Sequence, residues 1–308
     1  MTYTYLLAGE NLELAEAELN GFLKSQSIDE EAKRDGRLAE TDSHPGQLKR
    51  LALTHEVTEK ITETELEELK IDYRPEGSFA VRVRNISEKE IDSKELEKDI
   101  GQEIESETNT VDLEQPETVV KAYFTGEKLV IGRMVEDIDR GLFSKRKNQE
   151  RPFSSPISLD PVLARVMVNL SETSAGEKLF DPFCGTGGIL IEAGLCGVGV
   201  YGLDIQKDMV KGSRKNLEEY GIISHDIRQS DIAEIDKVFN DSFDAVVTDL
   251  PYGKASVEEK EPVRKFMEFL EGFEGRAVFM YNEPSVGGYE ADFSVYVHKS
   301  LTRYIYVT

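Results

Sequence analysis

Asp249-Leu250-Pro251-Tyr252 is the stretch of this 308-residue chain with the clearest chemical content. It closes the run SFDAVVTDLPYG, which reads as a strand ending in a turn. Such a strand delivers an acid, a turn proline and an aromatic to the carboxyl edge of a sheet, where open α/β sheets bind their ligands. An exocyclic amine on a nucleobase is a poor nucleophile because its lone pair is delocalised into the ring. The Asp249 carboxylate and the Leu250 carbonyl can both accept N–H bonds, favouring a pyramidal nitrogen whose lone pair points at an electrophilic methyl. Tyr252 would stack on the extruded base. Taken alone, the four residues also fit a strand followed by an ordinary proline turn.

A second motif raises the chemical reading. Asp181-Pro182-Phe183-Cys184-Gly185-Thr186-Gly187-Gly188 follows a strand and opens the helix ILIEAGL. Glycines there let a ligand approach the backbone, and a helix start presents free N–H groups, so a nucleotide-type ligand is implied. The strand VYGLDI then ends in Asp204, 17 residues after Gly187, where a carboxylate can accept both ribose hydroxyls. A dinucleotide such as NAD would want a third glycine at position 190, which here is Leu190. Asp231, in RQSDIAEI, could take an adenine amino group, although an aspartate after a strand often serves only as the next helix's N-cap.

These residues need a scaffold, and strand and helix patterns alternate regularly from about residue 156 to 274. Alternation of this kind implies a parallel sheet. The strands fall at 177–182, 198–204, 226–230, 243–249 and 276–281, followed by a closing pair at 292–299 and 302–308, and the helix before the glycine loop spans Pro161–Leu170. The first part of the chain is different. A helical face (Leu12, Ala15, Leu19, Phe22), a strand with Phe79, Val81 and Val83 alternating with Ala80, Arg82 and Arg84, a charged helix over 93–107 and a hairpin around Thr125–Lys128 indicate a small α+β domain.

Composition bounds the class. The chain is 39% hydrophobic, has no apolar run of 18 residues and starts without a secretory signal, so a soluble cytoplasmic protein is expected. Cys184 and Cys196 have no CxxC partner, and neither a disulfide framework nor a metal site is expected. A net charge of −23 argues against a nucleic-acid partner, yet residues 140–151 carry five basic side chains (Arg140, Lys145, Arg146, Lys147, Arg151) against one acidic. That strip reads either as a solvated linker or as a phosphate clamp, with Arg82 and Arg84 as a lesser addition.

DPFCGTGG, GLDI, QSD and DLPY, in this order, resemble the AdoMet-binding and catalytic motifs of class I amino-methyltransferases. RPFSSPISLDPVLARVMVNL is similar to the segment that precedes the glycine loop in RNA guanine-N2 methyltransferases, and VHKSLTRYIYV is similar to the closing hairpin of the archaeal tRNA guanine-10 N2-dimethyltransferases. LLAGENLELAEAEL, FAVRVRNI and VDLEQPETVVKAYFTGEKLVIGRMVEDIDR look like that family's N-terminal THUMP module. The resemblance implies an α/β architecture in three parts: a ferredoxin-like/THUMP RNA-binding domain over 1–139, a basic linker over 140–155, and a Rossmann-like methyltransferase domain over 156–308 with a seven-stranded, mostly parallel sheet and a C-terminal antiparallel hairpin. It implies AdoMet as cofactor and tRNA as partner, with the segment of Phe153, Ser155 and Pro156 and with Asp181, Gly185 and Gly187 around the methionine part, Asp204 at the ribose, Asp231 at the adenine, and Phe183, Ile205 and Ile232 also against the cofactor. Asp249 would border the cofactor as well. Asp249, Leu250, Pro251 and Tyr252 would hold the base, Asp249 would take the released proton, and the protein would act as a monomer.

One departure stands out: the family shows Asp-Pro-Pro-Tyr where this chain has Leu250. A leucine keeps the acceptor carbonyl and loses only proline's fixed φ, so Leu250→Pro is expected to leave turnover similar or better. Three competing readings stay open: guanine-N2 methylation elsewhere in tRNA, adenine-N6 methylation of nucleic acid, and a tRNA-binding protein that has lost turnover.

Overall fold

The computed structural model describes residues 1–156, 158–240, 242–251, 261–298 and 301–308. The chain divides into two compact units, one of Met1–Leu12, Glu31–Lys49 and Thr54–Asp139, the other of Glu13–Glu30, Arg50–Leu53 and Arg140–Thr308.

The first unit is built on eight strands: β1 (Tyr3–Leu7), β2 (Lys33–Asp35), β3 (Leu38–Thr41), β4 (Thr54–Glu65), β5 (Gly77–Asn85), β6 (Asn109–Val111), β7 (Thr118–Phe124) and β8 (Lys128–Asp137). They form one sheet in the order β2-β3-β1-β4-β8-β7-β5-β6. Helix α2 (Ser93–Ile104), which follows α1 (Leu12–Ser25) in the chain, starts where the Asp92 carboxylate accepts the Lys94 and Glu95 amides. Its Leu96, Ile100 and Ile104 recur every four residues on one face and bury against Phe79, Val81, Val120 and Ile131 of the sheet. The expected hairpin at Thr125–Lys128 is present as the β7–β8 turn, with Gly126 at φ +104°. Arg84 pairs with Glu56 at 2.8 Å and Arg82 donates to the Val81 and Leu113 carbonyls, so both arginines serve this unit's own surface.

The second unit carries β9 (Lys178–Asp181), β10 (Gly199–Asp204), β11 (His225–Gln229), β12 (Ala245–Asp249), β13 (Arg276–Tyr281), the small pair β14 (Ser285–Val286) and β15 (Tyr289–Glu290), β16 (Phe293–His298) and β17 (Leu301–Val307). Seven of these make a mostly parallel sheet ordered β11-β10-β9-β12-β13-β17-β16, with β17 antiparallel between β13 and β16. AVVTD of β12 and RAVFMY of β13 are buried nearly throughout, as strands covered on both faces must be. The helices in order are α3 (Gly141–Ser144), α4 (Pro161–Leu170), α5 (Gly188–Gly194), α6 (Lys207–Glu219), α7 (Ile235–Val238) and α8 (Glu261–Leu270). Chain order reverses between β9 and β12, and a crevice opens at their carboxyl ends, where Asp181 and Asp249 stand.

Glu13–Glu30 and Arg50–Leu53, which the sequence reading placed within 1–139, group with this second unit. Glu18 of α1 is fully buried and accepts the Ala52 and Leu53 amides at 2.8 and 2.7 Å and the Asn169 side-chain amide of α4 at 2.8 Å. Arg50 Nε in turn donates to Asn169 Oδ1 at 2.7 Å. Gly21 lets the two helices meet, since a Cβ there would stand 2.4 Å from the Asn169 carbonyl oxygen. No helix among the described residues is long and apolar enough to cross a membrane.

Candidate active site

The glycine loop turns on two left-handed residues, Gly185 (φ +50°) and Gly187 (φ +79°), before α5 begins. A Cβ on Gly187 would come within 2.5 Å of Ser213 Oγ on α6, so both conformation and space exclude a side chain there. The Asn216 amide of α6 ties the loop's Thr186 carbonyl and the Phe153 carbonyl together at 2.9 and 2.8 Å, while its oxygen accepts the Phe153 amide. The Phe153 ring packs against Gly212, where any Cβ would overlap it. The segment before the loop is thereby locked to the loop.

The loop borders a cavity of about 350 Å³ at the carboxyl edge of the sheet. Ser155, Asp181, Phe183, Gly185, Asp204, Ile205, Asp231, Ile232, Asp249, Leu250 and Pro251 all line it. Phe153, Pro156 and Gly187 are not among the residues that line it. Tyr252 lies outside the described residues. Ser158 and Thr186, which belong to RPFSSPISLDPVLARVMVNL and DPFCGTGG but were not among the expected site residues, also line the cavity, as do Met209 and Lys265, whose local pattern does not separate them from ordinary helix residues.

Each carboxylate sits in its own setting. Asp181 is 2% exposed, accepts Thr248 Oγ1 at 2.7 Å and the Phe183 amide at 3.0 Å, and burial pushes its carboxyl up to about 7. Asp204 accepts the Gly185 amide at 3.0 Å through Oδ2 and the Gln206 amide at 2.8 Å through Oδ1, and burial raises it despite those two bonds. Asp231 caps the turn Ile232–Glu234 through the Ala233 amide and also pairs with Lys265 at 2.7 Å, so it is an N-cap and a cavity wall at once. Burial pushes its carboxyl up, but the Lys265 ammonium and the Ala233 amide outweigh that and hold it below the ordinary range. Asp249 ends β12 with its Oδ1 in contact with the Arg303 guanidinium of β17. Arg303 is 4% exposed, and burial lowers it to about 10, which leaves it charged at neutral pH.

Among the described residues, four carboxylates thus face one cavity, against a single lining cation, Lys265, that is already engaged by Asp231 and Glu261. A pyrophosphate would be repelled there, whereas a ligand with a sulfonium and an ammonium matches the field. Leu250 is fully buried in the core under the sheet, and its amide donates to the Met280 carbonyl at 2.9 Å. That overturns the expectation for Leu250→Pro, since proline has no N–H for this bond and no side chain long enough to fill the leucine's place.

The basic strip separates into two groups. Arg146 forks onto Glu192 of α5 at 2.7 and 3.0 Å, and Arg165 adds a third contact at 2.8 Å; Glu192 is fully buried. Arg151 is 5% exposed, donates to the Arg146 carbonyl and reaches Ser158 and Thr186 beside the cavity. These two arginines are internal struts, which corrects their reading as an RNA clamp. Arg140 is half-buried, Lys145 and Lys147 are exposed, and Lys147 lies 3.9 Å from Asp160. No cluster of three or more metal-ligating side chains occurs among the described residues.

Residues 148–282 match the RMKL-like methyltransferase domain family, and residues 55–132 match the THUMP domain. A tRNA (guanine(10)-N2)-dimethyltransferase of Methanothermobacter thermautotrophicus is 39% identical over 285 residues, covering 88% of this chain and 84% of its own length. The Pyrococcus abyssi enzyme of the same name is 39% identical over 245 residues, covering 75% of this chain and 74% of its own. Among solved structures, TrmN from Thermus thermophilus superposes with a TM-score of 0.55 at 20% identity, covering 100% of this chain and 99% of that one, a likeness of fold.

Proposed function

The chain belongs to the tRNA (guanine(10)-N2)-dimethyltransferase family, and on that premise we propose that its cavity binds AdoMet and that Asp249 to Tyr252 present the exocyclic N2 of a tRNA guanine for methylation, once and then again. It is an AdoMet-dependent methyltransferase with a THUMP module. The observation that carries the site assignment is the convergence of the glycine loop, Asp204, Asp231 and Asp249 on one cavity with an excess of carboxylates.

The cofactor supplies an electrophilic methyl carried on a sulfonium. Asp204 has two oxygens, each retaining a lone pair for a ribose hydroxyl, and the exposed Ile205 offers a flat apolar face to the adenine. Asp231 accepts the adenine amino group with the lone pairs that Lys265 and Ala233 leave. Asp181 and the Gly185–Gly187 turn face the methionine end. At the transfer point the Asp249 carboxylate and the Leu250 carbonyl accept the two N–H bonds of guanine N2, turning its lone pair toward the methyl carbon. When bound, AdoMet would supply its methyl to that nitrogen and keep the electron pair of the broken carbon–sulfur bond on its sulfur. The proton lost from N2 passes to Asp249. Tyr252 stacks on the base.

The test is incubation of the protein with AdoMet and an unmodified tRNA transcript, followed by digestion and mass spectrometry of the nucleosides. N2-methylguanosine and N2,N2-dimethylguanosine mapping to position 10 are expected. N6-methyladenosine, or AdoMet binding with no methyl transfer to any tRNA, would overturn the reading.

A further inference from the structure

We propose that Arg303 is a positioning residue of the transfer site, its guanidinium pinning one oxygen of Asp249 so that the other is presented to the substrate amine. The placement follows from topology. Strand β17 runs antiparallel to β13, pairing Tyr304 with Tyr281, so Arg303 stands one residue beyond that pair at the carboxyl edge, where β12 ends in Asp249. Arg303 is 4% exposed, and a guanidinium so buried needs an anion beside it. Among the described residues it touches Asp249 Oδ1, while the Asp249 side chain keeps 21% of its surface open and lines the cavity.

Carboxylate torsions are soft. The χ2 of an aspartate has a broad, two-fold profile, so an unassisted Asp249 would sample a range of oxygen positions at the mouth of the cavity. Contact with a planar, pre-organised guanidinium removes that freedom at little entropic cost, because the fork of donors is itself rigid. The residue does not need to touch the base for this. Its effect is greatest for the second methyl transfer, when N2 has only one N–H left and a single hydrogen bond to Asp249 must orient the nitrogen.

This assignment rests on the guanine-N2 reading above. It is tested by comparing the unsubstituted protein, Arg303→Gln and Arg303→Lys in steady-state turnover on the tRNA transcript and in AdoMet binding by calorimetry. The glutamine variant is expected to bind AdoMet as the parent does, to keep its KM for tRNA, and to lose about 100-fold in kcat, the order of cost for a misplaced catalytic group. It should also accumulate N2-methylguanosine over the dimethylated product. The lysine variant should recover part of kcat, since an ammonium can hold one oxygen without the fork. Parental kcat in Arg303→Gln, a lysine variant no better than the glutamine one, or loss of AdoMet affinity in Arg303→Gln would each overturn the assignment, the last by showing a purely structural role. If the unsubstituted protein leaves the transcript unmethylated, the guanine reading fails first and this assignment falls with it.

Discussion

The backbone amide of Leu250 donates to the Met280 carbonyl at 2.9 Å, one step past the last paired residues of β12 and β13. The bond extends the parallel ladder into the first residue after β12 and fixes where its carbonyl stands. The fully buried Leu250 side chain adds a second anchor among Phe266, Phe279 and Tyr281. Proline would hold such a turn through its ring; here a hydrogen bond and a packed side chain do so.

Leu250→Pro should therefore destabilise the second unit by about 1–3 kcal/mol, the cost of leaving the buried Met280 carbonyl without its N–H partner, and lower turnover. Leu250→Ala should cost about 2–5 kcal/mol, the range for a fully buried leucine, and keep measurable methyl transfer because the amide bond survives. Denaturant melts paired with turnover on tRNA check both, and a proline variant as stable as the parent would contradict the role given to the Met280 contact.

Asp181 predicts a pH dependence. Its carboxyl stands at about 7 in the fold against an ordinary 3.8. Between those values the folded protein holds a proton that the unfolded chain has released, so this group's contribution to stability declines as pH rises across the window and levels off above about 7. A cationic ligand that favours the carboxylate reverses the trend, and AdoMet affinity should rise with pH up to about 7, by at most about tenfold per unit. Calorimetry in buffers of different ionisation enthalpy would register the proton released on binding. A dissociation constant flat from pH 5 to 8 would be inconsistent with it.

For the basic strip the expected effects differ by residue. Lys145→Glu with Lys147→Glu should weaken tRNA binding, flatten its salt dependence and leave the melting transition in place, since both side chains are exposed. Arg146→Glu should instead destabilise the fold by about 3–5 kcal/mol, because it sets a second carboxylate against the buried Glu192. Filter binding at several salt concentrations, alongside thermal melts, tells these apart.

Gly187→Ala should lose AdoMet binding by at least about tenfold, as the new methyl meets Ser213 at a left-handed backbone position that costs about 1 kcal/mol or more in itself. Adding Ser213→Gly should return part of the loss by opening the space while the backbone strain stays. No recovery in the double variant would mean that strain alone sets the defect.

Short-range order was readable from the sequence because it is written in local periodicity. The apolar runs of β12 and β13, the helix after Asp160, the glycine loop and the acid at the end of each of β9, β10 and β12 announce themselves within ten residues, and five strands in alternation with helices imply the parallel sheet that carries them. Tertiary structure alone decided the rest, since burial and pairing between distant segments leave no periodic trace. Arg146 and Arg151 look like surface cations by composition and are struts because the buried Glu192, far along the chain, engages Arg146, while Arg151 reaches the Arg146 carbonyl and Thr186. Glu18 and Gly21 look like one more turn of an N-terminal helix, yet Asn169 and Arg50 draw that helix into the second unit. Asp249 and Leu250 are held by Arg303 and Met280, two residues on neighbouring strands that the local sequence around Asp249 cannot specify.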